Sequence, residues 1–179
     1  MRINLFGPPH SGKSSIAGKL FNCLKRDGNN VEIVYEYIKE WTYIKRFPES
    51  FDQIFISANQ MYREEMALRA GFEHIVTDCP LFLNCFYAQF CNFPANKQLL
   101  EIAKEYEKHY PSLNIYMPVN TENFSEVGRF HDKKEVEKID KALTAFLQEI
   151  KLDVIVFNLL DEKIFGVAYK YIKTMIGEK

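Results

Sequence analysis

The stretch LFGPPHSGKSS, residues 5–15, decides the fold of this chain of 179 residues. A short apolar run breaks into Gly-Pro-Pro and ends in Gly-Lys-Ser, and residues 7–14 match G-x-x-x-x-G-K-[ST] at every fixed position. Glycines let the backbone wrap around an anion with successive N–H groups pointing inwards, and the N-terminus of a following helix adds partial positive charge. The stretch therefore predicts a phosphate-binding loop between a strand and a helix.

Each residue type in this loop has a predicted task. Lys13 supplies a mobile positive charge for the β- and γ-phosphates of a nucleotide, and the Ser14 hydroxyl is a ligand for Mg²⁺. Nine consecutive residues are predicted to line the nucleotide site: Gly7, Pro8, Pro9, His10, Ser11, Gly12, Lys13, Ser14 and Ser15.

The rest of the chain alternates between short apolar runs and longer amphipathic stretches. The predicted strands are Arg2–Phe6, Val31–Tyr35, His74–Thr77, Ser112–Val119 and Asp153–Phe157. The predicted helices are Lys13–Arg26, Glu49–Ala70, Leu81–Phe90, Ala95–His109, Lys133–Ile150 and Glu162–Ile176. This alternation is typical of a parallel sheet covered by helices on both faces. We expect one three-layer α/β domain over residues 1–179.

Composition narrows the class of protein. The chain is 47% hydrophobic with a net charge of −1, which fits a globular domain and does not indicate a strongly basic nucleic-acid binder. No apolar run approaches the roughly 18 residues that a membrane span needs, and no leader precedes the first strand. The four cysteines, at positions 23, 79, 85 and 91, have no C-x-x-C spacing. We therefore expect a cytoplasmic protein with free thiols and no membrane partner.

Asp78 is the candidate for a second metal ligand. It ends the apolar run Ile-Val-Thr at residues 75–77, which is the Walker B pattern, and it reaches Mg²⁺ directly or through a bound water. The alternative is that Asp78 caps the helix predicted to begin at Leu81.

The residues around these motifs and the length of the chain argue against two kinds of phosphate-loop protein. A GTPase switch needs D-x-x-G after the third strand, but Asp78 is followed by Cys-Pro-Leu. It also needs N-K-x-D, and the run at residues 96–99 ends in Leu. A ring-forming motor ATPase needs a longer chain. A small kinase remains.

A kinase needs a base, and a cation that closes over the transferring phosphate. Glu36 follows the second strand, where the carboxyl ends of parallel strands line a ligand crevice, so it is placed to accept the proton of an attacking hydroxyl. Residues 120–134 are the predicted lid, in which Arg129 next to a glycine stabilises transition-state charge. The alternatives are a surface glutamate opening a helix and a solvated loop.

An acceptor pocket is predicted between the second and third strands. Trp41 and its neighbouring aromatics offer faces to a flat base, Gln60 offers a paired donor and acceptor, and Arg63 offers a cation for a phosphate or hydroxyl. Core packing is the alternative for each aromatic side chain. The other aromatics of this group are Tyr43, Phe47, Phe51 and Phe55.

Five stretches together resemble the P-loop nucleoside and nucleotide kinases, especially the ribosylnicotinamide kinase domain and related viral kinases labelled only as ATP-binding proteins. They are GPPHSGKSS, YEYIKEW (35–41), NQMYREE (59–65), VTDCPL (76–81) and VGRF (127–130). The resemblance implies a P-loop NTPase fold with strand order 2-3-1-4-5, a short lid and MgATP as donor. It also implies that Lys13 and Ser14 hold MgATP, that Glu36 activates the acceptor, that Asp78 assists the metal and that Arg129 belongs to the lid.

The acceptor stays open at this point. Asp-Cys-Pro stands where many nucleotide kinases have D-R-[YFS], so no subfamily's specificity carries over. A nucleoside or nucleotide is the first expectation. Related phage kinases imply a second one, a hydroxymethylated pyrimidine within DNA, which would need a basic groove from Lys39, Lys45, Arg46 and the lid. A non-enzymatic ATP-dependent switch is the third. Adenine contacts are expected near residues 158–161, and a homodimer is an open expectation.

Overall fold

The computed structural model describes residues 1–119 and 133–177. Five strands form one sheet in the order β2-β3-β1-β4-β5, and every neighbouring pair is parallel. The strands are β1 (Arg2–Phe6), β2 (Val31–Val34), β3 (His74–Thr77), β4 (Ser112–Tyr116) and β5 (Ile155–Val156). The predicted parallel sheet and its strand order are confirmed.

The central strand β1 shows why the sheet is buried on both faces. All five of its residues are buried, with Ile3 and Leu5 towards one layer of helices and Phe6 towards the other. Its register with β4 runs from Arg2 opposite Ser112 to Phe6 opposite Tyr116. Because helices cover both faces of a strand in this position, even its polar residues Arg2 and Asn4 are buried.

Seven helices complete the described part of the chain. They are α1 (Lys13–Arg26), α2 (Lys39–Tyr43), α3 (Asp52–Arg69), α4 (Leu81–Phe90), α5 (Asn96–His109), α6 (Lys133–Glu149) and α7 (Glu162–Met175). Helices α1 and α7 share one core with the sheet, and α4, α5 and α6 share the other. Three layers result, as predicted.

The predicted and observed elements differ mainly around the second strand and at the sheet edge. The short helix α2 was not predicted, and α3 begins at Asp52 rather than at Glu49. Strand β5 is only two residues long, because it pairs on one side only, with Ile115 and Tyr116 of β4. The predicted lid at 120–134, with Arg129, lies outside the described residues except for the start of α6.

A buried ion pair ties the start of β1 to α3. The Arg2 side chain is 2% exposed, and its Nη1 lies 3.1 Å from Oε2 of Glu64, which is 0% exposed. Arg2 also donates to Glu107 and, through Nε, to the Tyr110 carbonyl oxygen at 2.7 Å. Burial raises the pKa of Glu64, and the Arg2 charge opposes that rise. Charges this deep require partners, so the pair links these elements specifically.

Two general expectations can be checked against the described residues. All four cysteines are free, with Cys79 and Cys85 buried and Cys91 exposed. Within the described ranges, no helix combines the length and apolar character that crossing a membrane requires.

Candidate functional site

The loop between β1 and α1 has the backbone conformation of an anion cradle. Gly7 has φ 149°, His10 has φ 68° and Gly12 has φ 81°. A Cβ atom on Gly7 would lie 2.4 Å from the Met117 carbonyl oxygen, which no side chain tolerates. The glycine at this position therefore allows the loop to pass close to the strand β4 end.

Lys13 opens helix α1 and folds back over the loop. Its Nζ donates to the carbonyl oxygens of Gly7 and Pro8, each at 2.9 Å. Ser11 is 1% exposed, and its Oγ has no hydrogen-bond partner among the described residues. The loop thus holds a cation above it and a buried hydroxyl within it, both suited to phosphate oxygens. Ser14 and Ser15 follow in the first turn of α1.

Glu36 and Asp78 lie side by side at the carboxyl ends of β2 and β3. The Glu36 backbone N–H donates to Oδ1 of Asp78 at 2.9 Å, and Asp78 is only 2% exposed. Because β3 pairs with both β2 and β1, this edge also adjoins the phosphate loop. Asp78 therefore holds the backbone that carries Glu36, in addition to its predicted role towards a metal.

One cavity joins Lys13 to Glu36. Its volume is about 230 Å³, and we call it the central cavity. It runs from the phosphate loop between the β2–α3 connection and helix α4. Its lining comprises Pro9, Lys13, Glu36, Ile38, Lys39, Thr42, Phe47, Pro48, Gln53, Leu83, Asn84, Tyr87, Phe90, Cys91 and Phe93.

Charged side chains from several segments act on the buried thiol of Cys79. Burial raises the pKa of the Cys79 thiol well above its usual value, and the negative charges of Glu36 and Asp78 raise it further. The positive charge of Lys13 acts in the opposite direction. The charge of Glu64 also raises this pKa, so three carboxylates and the Lys13 ammonium group act on the same buried thiol.

Gln60 lies behind the central cavity rather than in its lining. It is 0% exposed. Its Oε1 accepts from the Tyr37 backbone N–H at 3.2 Å, and its Nε2 donates to Thr77 Oγ1 at 3.2 Å and to Glu64 Oε1 at 3.3 Å. The predicted base-reading amide is thus used inside the protein, where it holds the residue after Glu36.

Trp41 and Arg63 also lie outside the lining of the central cavity. Trp41 is 8% exposed, stacks on Phe55 with ring centroids 6.4 Å apart, and carries the Arg46 guanidinium 3.7 Å above its ring. Arg63 lies over the Tyr37 ring and 3.8 Å from Glu40. Of the predicted aromatics, Phe47 lines the cavity.

The turn predicted to contact adenine adjoins the phosphate loop. The Leu160 side chain lies so near Gly12 that a Cβ there would be 2.8 Å from Leu160 Cδ2. Asp161 caps helix α7 by accepting from the N–H groups of Lys163 and Ile164. Leu160 therefore forms an apolar surface beside the loop that is predicted to hold the phosphates.

A family model described as an AAA domain matches residues 2–161. The chain belongs to the AAA domain family. This AAA domain has the P-loop NTPase fold, and its loop at residues 7–14 is the motif that defines such domains. No curated protein matches the sequence.

A solved structure shares the fold of this AAA domain. The crystal structure of NadR protein in complex with NR superposes with a TM-score of 0.74 at 17% sequence identity. The match covers 99% of this chain and 52% of that one, so this chain spans about half the length of that protein. The predicted P-loop NTPase fold is confirmed, and at 17% identity the likeness to NadR protein shows the fold alone.

Sequence reasoning did not identify Gln53, Asn84 and Tyr87 as residues of the cavity in this AAA domain. Gln53 lies on α3, and the other two lie one turn apart on α4. A signal for one of them was present, because Asn84 is a polar residue inside the otherwise apolar run LFLNCF. The pairing of α3 with α4 that brings them together has no local sequence signature.

Proposed function

We propose that this protein is an ATP-dependent kinase that transfers the γ-phosphate to a hydroxyl or phosphate of a nucleoside or nucleotide. One observation carries the proposal: the same cavity is lined by Lys13 at the phosphate loop and by Glu36 at the end of β2. A donor phosphate and an acceptor hydroxyl bound in it would lie next to each other, which is the main requirement for phosphoryl transfer.

The chain's residues divide into two groups in this reaction. Lys13 and the loop N–H groups hold the β- and γ-phosphates of ATP. Glu36 accepts the proton of the acceptor hydroxyl while the oxygen of that hydroxyl forms a bond to the γ-phosphorus of ATP. The bond between that phosphorus and the bridging oxygen breaks, and ADP leaves with the electron pair.

The donor set fits Mg²⁺. Ser14 would contribute a hydroxyl oxygen and Asp78 a carboxylate oxygen, and Mg²⁺ in proteins uses one or two such oxygens beside substrate phosphates. When bound, the ion neutralises charge on the transferring phosphate. Arg129 remains the proposed lid cation, although it lies outside the described residues.

The size of the central cavity favours a small acceptor. Its volume of about 230 Å³ is below the roughly 300–1,000 Å³ of pockets that hold drug-sized ligands. The ribosylnicotinamide kinase domains that the sequence resembles, and the NR bound to NadR protein, agree with a nucleoside-sized acceptor.

The test is transfer of radiolabelled phosphate from ATP to a panel of nucleosides, ribosylnicotinamide, nucleotides and hydroxymethylated DNA. We expect a labelled nucleoside or nucleotide. Glu36→Gln should abolish transfer and retain ATP binding, whereas Glu32→Gln, on β2 but outside the central cavity, should leave both transfer and ATP binding unchanged. Slow ATP hydrolysis with no labelled acceptor would support the non-enzymatic switch instead. Labelling of DNA alone would favour a kinase that acts on a hydroxymethylated pyrimidine within DNA.

A further inference from the structure

Asn84 is one of several buried polar side chains in the described part of the chain that have an atom without a hydrogen-bond partner. It lies on α4, lines the central cavity and is 2% exposed. Its Nδ2 is buried and has no hydrogen-bond partner in the described part of the chain. Buried N–H groups are paired in nearly all folded proteins, so an exception calls for a partner from outside the chain, such as a water or a ligand.

The orientation of this amide follows from its neighbours. Oδ1 of Asn84 accepts from Gln53 Nε2 and from Cys79 Sγ, each at 3.5 Å. Gln53 Nε2 also donates to the Asn84 backbone oxygen at 3.1 Å. Burial raises the pKa of Cys79, so its thiol keeps the proton that it donates. With two donors facing Oδ1, the opposite side of the amide is left as a donor.

The surroundings of Asn84 suit a planar ring. Phe47, Tyr87, Phe90 and Phe93 contribute aromatic side chains to the same cavity. Tyr87 stands one helical turn after Asn84, so a ring lying against it would bring an edge to the amide. The reacting end of the cavity, at Lys13 and Glu36, is formed by other segments of the chain.

We propose that Asn84 reads the acceptor by donating a hydrogen bond from Nδ2 to a carbonyl oxygen on the ring edge away from the sugar. The inference rests on the proposed function, because Glu36 sets where the sugar hydroxyl lies. The substrate class is then a nucleoside with a ring carbonyl at that edge, as in 4-oxopyrimidines and 6-oxopurines. An amino group at the same place would bring a second hydrogen-bond donor against Asn84 Nδ2, so the site rejects nucleosides that carry one there.

The experiment compares two matched pairs of acceptors, uridine with cytidine and inosine with adenosine. Both kcat/KM with MgATP and equilibrium binding by calorimetry are measured. We expect the oxo member of a pair to be favoured by about tenfold or more. Asn84→Leu should bring the ratio close to one, and Asn84→Asp, which replaces the donor by an acceptor, should reverse it. Gln89→Leu, an exposed amide on the same helix, should leave the ratio unchanged.

The outcomes separate this inference from the proposed function. Phosphorylation of nucleosides with a ratio near one in the unaltered protein, or with the same ratio in both Asn84 variants, overturns the role of Asn84 alone. If none of the four is bound or phosphorylated, the ring-carbonyl inference falls, while the kinase proposal still depends on the full acceptor panel. If Asn84→Leu does not fold, the unaltered protein and Asn84→Asp decide the question.

Discussion

In the phosphate loop, every residue that shapes the anion site lies within nine consecutive positions, whereas the central cavity takes its walls from segments spread between Pro9 and Phe93. The loop is shaped by backbone dihedral angles and by bonds over five or six residues, such as Lys13 to Gly7. The cavity depends on bonds over long sequence separations, such as Glu36 to Asp78. A local motif can be read from sequence, but an assembled wall requires the fold.

The two regions also differ in what supports them. Behind the cavity, buried polar side chains link Arg2, Glu64 and Gln60 to the Tyr37 backbone. No residue of this chain of bonds lines the cavity itself. The comparison therefore predicts that the loop is sensitive to its own residues, while the acceptor side is sensitive to residues some distance away.

Among the changes that test this comparison, replacing the loop cation Lys13 should have the largest effect on phosphoryl transfer. Lys13→Ala removes the charge predicted to face the β- and γ-phosphates, and we expect phosphoryl transfer to fall about 10³-fold, measured as the initial rate with labelled ATP. Thermal unfolding should show a folded protein. Lys25→Ala, at the far end of the same helix, is the control. A rate within a few-fold of the unaltered protein would remove Lys13 from the mechanism.

Breaking the buried ion pair tests the support of the acceptor side. Glu64→Leu leaves the Arg2 guanidinium short of one buried partner, and we expect the free energy of unfolding to fall by about 3 kcal/mol. Urea denaturation measures it. Glu65→Leu disrupts a more exposed pair with Arg69 and should cost less than about 1 kcal/mol. Equal losses in the two variants would contradict the special role of the buried pair.

A smaller effect is expected for Gln60→Met, which removes the acceptor for the Tyr37 N–H and loosens the segment carrying Glu36. We expect kcat to fall about tenfold, because the bond to the Tyr37 N–H is lost together with those to Thr77 and Glu64, with the KM for ATP unchanged. Asn59→Met, the neighbouring amide on the same helix, is the control. A rise in the KM for the acceptor with kcat unchanged would instead indicate that Gln60 contacts the acceptor, as first predicted from sequence.

The smallest expected effect is a change of a few-fold in the rate of thiol labelling. This measurement distinguishes the central cavity from the phosphate loop within one molecule. Cys91 is exposed and lines the central cavity, so a bound acceptor should slow its alkylation by iodoacetamide while ATP alone should not. Although the residue as a whole is exposed, partial burial of the thiol raises the pKa of Cys91, so labelling is done at about pH 9. Cys23, half-buried on α1, is the internal control. Equal protection by ATP would place the nucleoside part of ATP, rather than the acceptor, beside Cys91.

Most of the scaffold could be predicted from sequence, and the failures have identifiable causes. Strands β1 and β3 and helices α1 and α4 have the predicted bounds, because each combines a clear apolar pattern with a glycine, proline or strand end at its border. Helix α2 was missed because five residues are too few to show a helical period.

The residues of the site also divide into those that the sequence could predict and those that it could not. Lys13, Glu36 and Asp78 come together because the carboxyl ends of parallel strands meet at one edge of the sheet, a rule that needs only the strand assignments. Gln60 and Trp41 were assigned to the pocket on residue type alone. The contact of Gln60 with Glu64 follows from their i,i+4 spacing on α3, but the partners Thr77 and Phe55 could not be inferred without knowing how α3 lies against the rest of the fold.

By itself, the sequence determined a phosphate loop, a parallel sheet and the carboxylates at its edge, because each depends on neighbouring residues or on a fixed rule of chain topology. Only the tertiary structure decided which side chains enclose the central cavity and that Asn84 Nδ2 has no hydrogen-bond partner among the described residues. The physical reason is that burial and hydrogen bonding between α3 and α4 depend on side chains far apart in sequence, whose contacts exist only after the core has packed.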